Sequence, residues 1–434
     1  MSTFGLDPNF PELTSARPDE VNMRRNQLLL AALLIGPGLA YGQIDFSVAG
    51  RRVQFHSFAS QGFAYSNANN YLAMDTSRGS LALTDFGVNV STKLTDKLRV
   101  GAQVYDRNVG RLGNWRPDVD WAFADYKFTD WFGLRGGKVK TVVGLYNDIQ
   151  DMEFLHTWAL MPQSTYPVDV RGDTIAHIGA DAYGNIAIKR MGVFSYTVYG
   201  GKRPNDAQGG YLYNLSTSSR VANPAGGFKY ITSQTKKIDY YGGPVYGADL
   251  RWATPLKGVT LGASHMRQSI TTTGNYLAPV RVPYKMDTFY DPISAFYVEY
   301  AAGNLKFAGE YRREAKIGWF NAPTGALVNG NENARSGYVS LAYRFTKWLE
   351  VGTYHSRYIA DWKAYHGDPR NHIFDQTVTA RFDLSRYADL KIEGHFIDGA
   401  MINSALDRGF YAAANPNGLK PTMNMLVIRL GYHM

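Results

Sequence analysis

Three basic residues, Arg135, Lys138 and Lys140, precede three acidic ones, Asp148, Asp151 and Glu153, and Arg171 follows. Opposite charges on a strand and on the connection after it can face one another across a gap. There they set a transverse field that sorts ions, as charged rings do in channels. The connection itself, Gly144 to Asp173, is long, and long ordered connections are usually functional. The plainer alternative is a solvated surface loop with ordinary charges. Arg135 and Lys138 have opposite parity along a strand, so both can face one side only across a bulge.

A second charged set lies inside alternating segments. Its bases are Arg251, Lys306, Arg344, Arg381, Lys391 and Arg429, and its acids are Asp249, Glu299, Glu310, Glu350, Asp383 and Glu393. Val339, Leu341, Tyr343 and Phe345 share one strand face, and Ser340, Ala342 and Arg344 share the other. Tyr246, Ala248, Leu250 and Trp252 oppose Gly247, Asp249 and Arg251. Val378, Ala380, Phe382 and Leu384 oppose Thr379, Arg381 and Asp383; Leu390, Ile392, Gly394 and Phe396 oppose Lys391, Glu393 and His395. In a soluble sandwich the apolar face would be the core. In a membrane barrel the senses invert, apolar outward and charged inward around water. Arg or Lys facing lipid at mid-membrane costs roughly 2–4 kcal/mol, which places these bases on the lumen wall. A lattice of structural ion pairs that stiffens the wall accounts for many of them equally well.

The elements that carry these charges are short and alternating, with no sustained helical period. About 16 strands are expected, at 46–66, 80–95, 97–109, 118–130, 132–143, 174–188, 192–204, 242–255, 258–271, 292–302, 304–317, 335–347, 349–361, 371–386, 387–400 and 421–434. Short connections, at Thr95-Asp96-Lys97, Thr129-Asp130-Trp131, Gly303-Asn304 and Thr346-Lys347-Trp348, alternate with longer ones near 67–79, 110–117, 144–173, 205–241, 272–291, 318–334, 362–370 and 401–420. Such asymmetry predicts an all-β, transmembrane, antiparallel up-and-down barrel with a long third loop folded inward and both termini on the short-turn, periplasmic side. A phrase repeats at the short turns: KLTDKLRVG from Lys93, KFTDWFGLRGG from Lys127 and RFTKWLEVG from Arg344. Thr and Asp there can bond their own backbone and close a tight turn. The repetition speaks for hairpin units in one domain, 43–434. Leu426, Ile428, Leu430, Tyr432 and Met434 alternate to the last residue, so the last strand is expected to close against the first. Outer-membrane barrels usually end on an aromatic residue, whereas Met434 stands here with Tyr432 two positions earlier.

Composition agrees. Of 434 residues, 30 are Tyr and 44 Gly, and charged residues are 19%. Tyr suits a membrane interface and Gly suits turns and crowded walls. No apolar run approaches the roughly 18 residues of a membrane helix, and a mean hydropathy of −0.29 suits strands that face lipid with every second residue. Cysteine is absent, which fits export. Met23-Arg24-Arg25-Asn26-Gln27, the apolar Leu28 to Ile35, a Gly-Pro-Gly break and Ala40-Tyr41-Gly42 read as a signal peptide over 1–42, cleaved before Gln43. Met23 is a candidate true start. The formal charge of +9 is spread over many strands among acids, unlike a nucleic-acid footprint. Lys229, Lys236 and Lys237 are candidates for contact with lipopolysaccharide phosphates. No HExxH, P-loop, GxSxG or cysteine metal pattern occurs. Ser264 and His265, being adjacent, point to opposite faces. Neither an enzyme, a metal nor a cofactor is expected.

The stretches SQGFAYSN from Ser60, VNVSTKLTDKLRVGAQ from Val88 and GGKVKTVVGLYNDIQDMEF from Gly136 resemble an outer-membrane porin family, the phosphate-selective porins and their uncharacterised relatives. The resemblance implies a 16-stranded homotrimeric barrel in a Gram-negative outer membrane, with the third loop in the pore. The family's arginine ladder and lysine cluster do not map onto this chain, so phosphate selectivity is not implied. The expected function is ion transport and passive diffusion of small hydrophilic solutes, with a weak anion preference that depends on Lys138 and Lys140. The alternatives are a substrate-specific channel and a plugged, surface-exposed structural or adhesion barrel.

Overall fold

The computed structural model describes residues 44–48, 50–217, 219–222, 228–231, 236–277, 281–400 and 408–434. The expected signal peptide lies outside them. Eighteen strand segments form one sheet, and it closes as a 16-stranded antiparallel barrel. The barrel strands are β1 (Arg51–Ser66), β2 (Ser80–Lys93), β3 (Leu98–Val109), β4 (Asp118–Thr129), β5 (Phe132–Lys140), β6 (Ala176–Ile188), β7 (Gly192–Lys202), β8 (Pro244–Ala253), β9 (Val259–Tyr276), β10 (Pro283–Ala302), β11 (Leu305–Asn321), β12 (Leu327–Arg344), β13 (Leu349–Ile359), β14 (His372–Asp383), β15 (Ala388–Asp398) and β16 (Thr422–His433). Lys236–Gly242 extends β8 along β9. β16 pairs with β1 from Phe58↔His433 to Ser66↔Met425, which closes the ring.

The short turns follow from their threonines. Thr95 Oγ1 accepts the Leu98 N–H at 2.9 Å, and Thr346 Oγ1 accepts the Leu349 N–H at 3.0 Å. In the third copy of the phrase Lys127 pairs with Asp130 at 2.7 Å instead.

Two expectations need correction. The first strand is not continuous over 46–66: Ile44–Val48 turns back through Gly50 (φ +75°) and pairs with Arg51–Phe55. It covers the edge of β1 beyond the reach of β16. The stretches 272–291 and 318–334 are mostly strand, because β9 and β10 pair as far as Asn275↔Pro283 and β11 and β12 as far as Asn321↔Leu327. Hydropathic alternation fades there while backbone pairing continues, because a strand that has left lipid needs no apolar face.

The two faces separate as alternation requires. Val339 (56% exposed), Leu341 and Tyr343 point outward, while Ser340 (6%) and Ala342 are buried. Val378, Ile392 and Phe396 point outward; Thr379, Lys391, Glu393 and His395 point inward and are buried. Near the short turns, aromatic pairs ring the wall: Phe194–Trp252, Tyr343–Phe345 and Trp348–Phe382. Such a girdle marks a membrane interface.

At the opposite rim, residues of the first and last long loops cap part of the mouth. Tyr71, Leu72 and Met74 pack with Tyr411, Ala414 and the inward Met423, Met425 and Val427. A helix, Gly210–Thr217, lies beside them, with Tyr213 against Tyr411.

Candidate functional site

Residues 141–175, the third long loop (L3), run through the barrel interior, and most of them are buried. The entry requires glycine. Gly144 has φ +71°, and a Cβ there would meet Glu310 Oε1 at 2.2 Å. Its N–H donates to Ser264 Oγ on β9 at 2.8 Å, and its carbonyl accepts from Arg251 on β8. Across the lumen, Glu393 on β15 accepts the N–H groups of Ala159 (3.0 Å) and Leu160 (2.9 Å). Arg429 on β16 donates to the Ala159 carbonyl at 2.8 Å, and Arg381 on β14 donates to those of Phe154 and His156. Backbone groups removed from water need such partners, and the wall charges supply them.

The charged set of the L3 region is thus brought together, but not face to face. Lys140 holds Asp151 at 2.8 Å. Asp148 goes to Arg251 at 3.2 Å. Glu153 goes to Lys391 on the far wall. Arg171 pairs with Asp120 on β4. Arg135 lies 3.8 Å from Asp125 and over the rings of Phe123 and Tyr183. Lys138 departs from expectation. It pairs in register with the outward Ile178 and contacts Asp118 and the Val119 carbonyl, not an L3 acid. Within the strand Arg135 takes the inward parity and Lys138 the outward one; Lys140, of Lys138's parity, reaches Asp151 because it is the last residue of β5. Burial opposes the Asp151 carboxylate, but Lys140 and Arg171 outweigh it and hold its carboxyl below the ordinary range. Glu153 is held low in the same way by Lys391 and Arg429.

The six wall bases all have acid partners. Lys306 and Arg344 share Glu350, and Arg344 and Arg381 share Asp383. Arg251 also contacts Asp249, and Arg429 contacts Asp85. Each of the six lies on the inward parity of its strand and is joined to its neighbours by these ion pairs.

Two spaces flank L3. The smaller, about 40 Å³, lies between it and the wall around Asp85, Tyr105 and Arg429. The larger, about 110 Å³, is lined by Tyr166, Tyr211, Tyr241, Tyr290 and Tyr358, by Arg203, Arg312 and Arg408, and by Asp173 and Glu314. Arg312 donates to Thr165 O at 3.1 Å and Glu310 at 3.0 Å. Arg203 donates to Asp173 O and Gln268 Oε1, both at 3.0 Å. Arg408 lies 3.5 Å from Glu314 and over the Tyr358 ring. Burial, and then the neighbouring Asp206, push the Asp173 carboxyl up to about 7. Sequence reasoning passed over these residues. The parity of Glu310 would have found Arg312 and Glu314; Arg203 falls just past the end of β7, within the stretch 192–204 expected as strand, and Arg408 stands in a loop, where alternation is silent.

Other expectations resolve locally. Ser264 points inward and donates to Asp249 at 2.6 Å, while His265 points outward, 3.1 Å from Ser294 Oγ on β10. Lys236 is buried and lies over Tyr276 and Tyr284, so it is no surface contact for lipopolysaccharide. Lys237 is exposed and pairs with Asp239. The side chain of Lys229 lies outside the described residues.

No family model and no curated protein matches this sequence. Solved structures do. The outer-membrane expressed OmpT of Vibrio cholerae aligns over 90% of this chain and 100% of its own, at 9% identity and TM-score 0.54. Its loop L8 deletion mutant aligns over 88% and 99%, at 11% identity and TM-score 0.51. An anion-selective porin from Comamonas acidovorans, at 10% identity over 88% and 100% and TM-score 0.48, adds nothing to the fold assignment. At such identities the likeness concerns fold: this is a barrel of the outer-membrane class.

Proposed function

We propose that the protein is a porin of the Gram-negative outer membrane, a passive channel for small hydrophilic solutes with a weak preference for anions. One observation carries this reading: the space beside L3 is lined by three guanidinium groups against two carboxyl groups, with tyrosine rings between. Glu310 pairs with Arg312 from outside this lining, and a lining with an excess of one sign concentrates the opposite ion. In this reading the assembly is a homotrimer, solutes are moved without chemical change, and residues 1–42 are a removed signal peptide. N-terminal sequencing of the outer-membrane form starts at or near Gln43; recovery of an intact Leu28–Ile35 segment would refute the cleavage.

The test is single-channel recording from the purified protein in a planar bilayer, with the zero-current potential read in a salt gradient. Steady conductance with a potential on the anion side is expected. A second reading, a plugged structural barrel, draws on the hydrogen bonds that tie L3 to the wall from β8 round to β16. Absence of conductance in correctly folded protein would favour it. A third, a substrate-specific channel, draws on the five tyrosines, and block of current by one solute class would favour it.

A further inference from the structure

On the outer wall, Arg313 of β11 stands directly opposite Arg335 of β12. Like charges facing each other across a strand pair destabilise it. Neither arginine has a carboxylate partner among the described residues, and Arg335 Nη1 is buried with no hydrogen-bond partner. Arg357 of β13 is also on this face. It pairs in register with Gly337, two positions from Arg335, and lies over the Phe374 ring. Arg267, by contrast, is neutralised by Asp291 at 2.8 Å.

The face is lipid-directed: Tyr311 and Val339, on the periplasmic side of the two arginines, are exposed apolar wall. Arg313 lies eight positions along β11 from Leu305, its periplasmic end. At about 3.3 Å per residue and a tilt of about 40°, that is roughly 20 Å up an apolar band about 25 Å tall. The arginines therefore sit near the outer-leaflet interface, where a charge costs little and phosphate is at hand. Two apposed guanidinium groups with no carboxylate between them suit a phosphate, which Arg binds through two parallel hydrogen bonds.

We propose that Arg313 and Arg335, with Arg357 beside them, form a binding site for the phosphate groups of lipid A on the outer wall. The inference rests on the outer-membrane placement in the proposed function, but not on conduction.

The test measures binding of lipid A to the full mature protein in detergent by native mass spectrometry. Bisphosphorylated lipid A is compared with its dephosphorylated form. Wild type is expected to bind the bisphosphorylated form about 30-fold more tightly. The R313Q/R335Q double variant, its folding checked by heat-modifiable gel mobility, is expected to lose that difference, and Arg267→Gln to keep it. Equal binding of both lipids by wild type overturns the proposal and needs no variant. Wild-type affinity in the folded double variant overturns it too, as does full displacement by inorganic phosphate, which would make the site one for free anions. Conductance is recorded on the same samples. Phosphate-dependent lipid A binding without conductance supports this site while sinking the channel reading; conductance with phosphate-independent binding does the reverse.

Discussion

Arg171 and Asp120 form a two-pronged ion pair, Nη1–Oδ1 at 2.9 Å and Nη2–Oδ2 at 2.7 Å. Both side chains are almost fully buried. The guanidinium also lies 3.8 Å over the Tyr105 ring, and Gln103 bridges the pair to L3 by donating to Asp120 and Asp151. This is where the descending end of L3 is fixed to β4, on the same small space that Arg429 of β16 lines.

Removing one partner of a buried pair strands the other charge, which costs about 3–5 kcal/mol. Arg171→Ala is therefore expected to lower the urea midpoint of the purified protein markedly and to make single-channel current noisier. Asp120→Ala in addition should restore part of the loss, because no stranded charge remains. Unfolding midpoints for the single and double variants check this; an unchanged midpoint for Arg171→Ala would count against L3 being held there.

The outward face of β12 gives a second expectation. Leu341 is 47% exposed on the lipid side. Leu341 pairs with Phe307, two positions along β11 from Leu305, so it lies in the periplasmic part of the apolar band; arginine there should cost about 1–2 kcal/mol, between the interfacial and mid-membrane values, whereas phenylalanine should be tolerated. Folding into lipid vesicles at increasing urea compares Leu341→Arg with Leu341→Phe. Equal midpoints would reverse the facing assignment.

Charge reversal separates the two candidate selectivity groups. Lys138 belongs to the outward register of β5, so Lys138→Glu should leave the zero-current potential where it is. Arg203→Glu, on the larger space beside L3, should move it toward cation preference. Fields from charges farther than about 8 Å are screened at physiological salt, so the local group decides. A shift with Lys138→Glu and none with Arg203→Glu would return the constriction to β5.

The Asp173 carboxyl, pushed up to about 7 by burial and by Asp206, gives a pH dependence. Below that value it is neutral, and the arginines around the space are less offset. Anion preference should therefore rise as pH falls from about 9 to about 5, and Asp173→Asn should hold the acid-side value throughout. Because the folded carboxyl titrates above its unfolded value, its contribution to stability is present at low pH and is lost as pH rises between about 4 and about 7. A zero-current potential equally pH-dependent in Asp173→Asn would assign the titration elsewhere.

By itself the sequence determined the barrel. Alternation of period two in segments such as Val339 to Phe345 is a local property that sorts side chains onto two faces whatever the partner strand, and the asymmetry of short turns and long loops then gives the apolar face to lipid. Threonines at Thr95 and Thr346 specify tight turns through bonds to their own backbone. The alternating end at Leu426 to Met434 marks the strand that closes on β1. Those signals need no long-range information. What alternation could not state was where pairing ends, because β9 to β12 continue as strands after their apolar face stops. Nor could it state which charge meets which. Asp148, Asp151 and Glu153 are neighbours in sequence, yet they reach Arg251, Lys140 and Lys391 on three different stretches of wall. Only the closed ring brings strands distant in the chain around one loop. For the same reason Arg203 and Arg408 became visible as a pair only once the tertiary structure set them on one space.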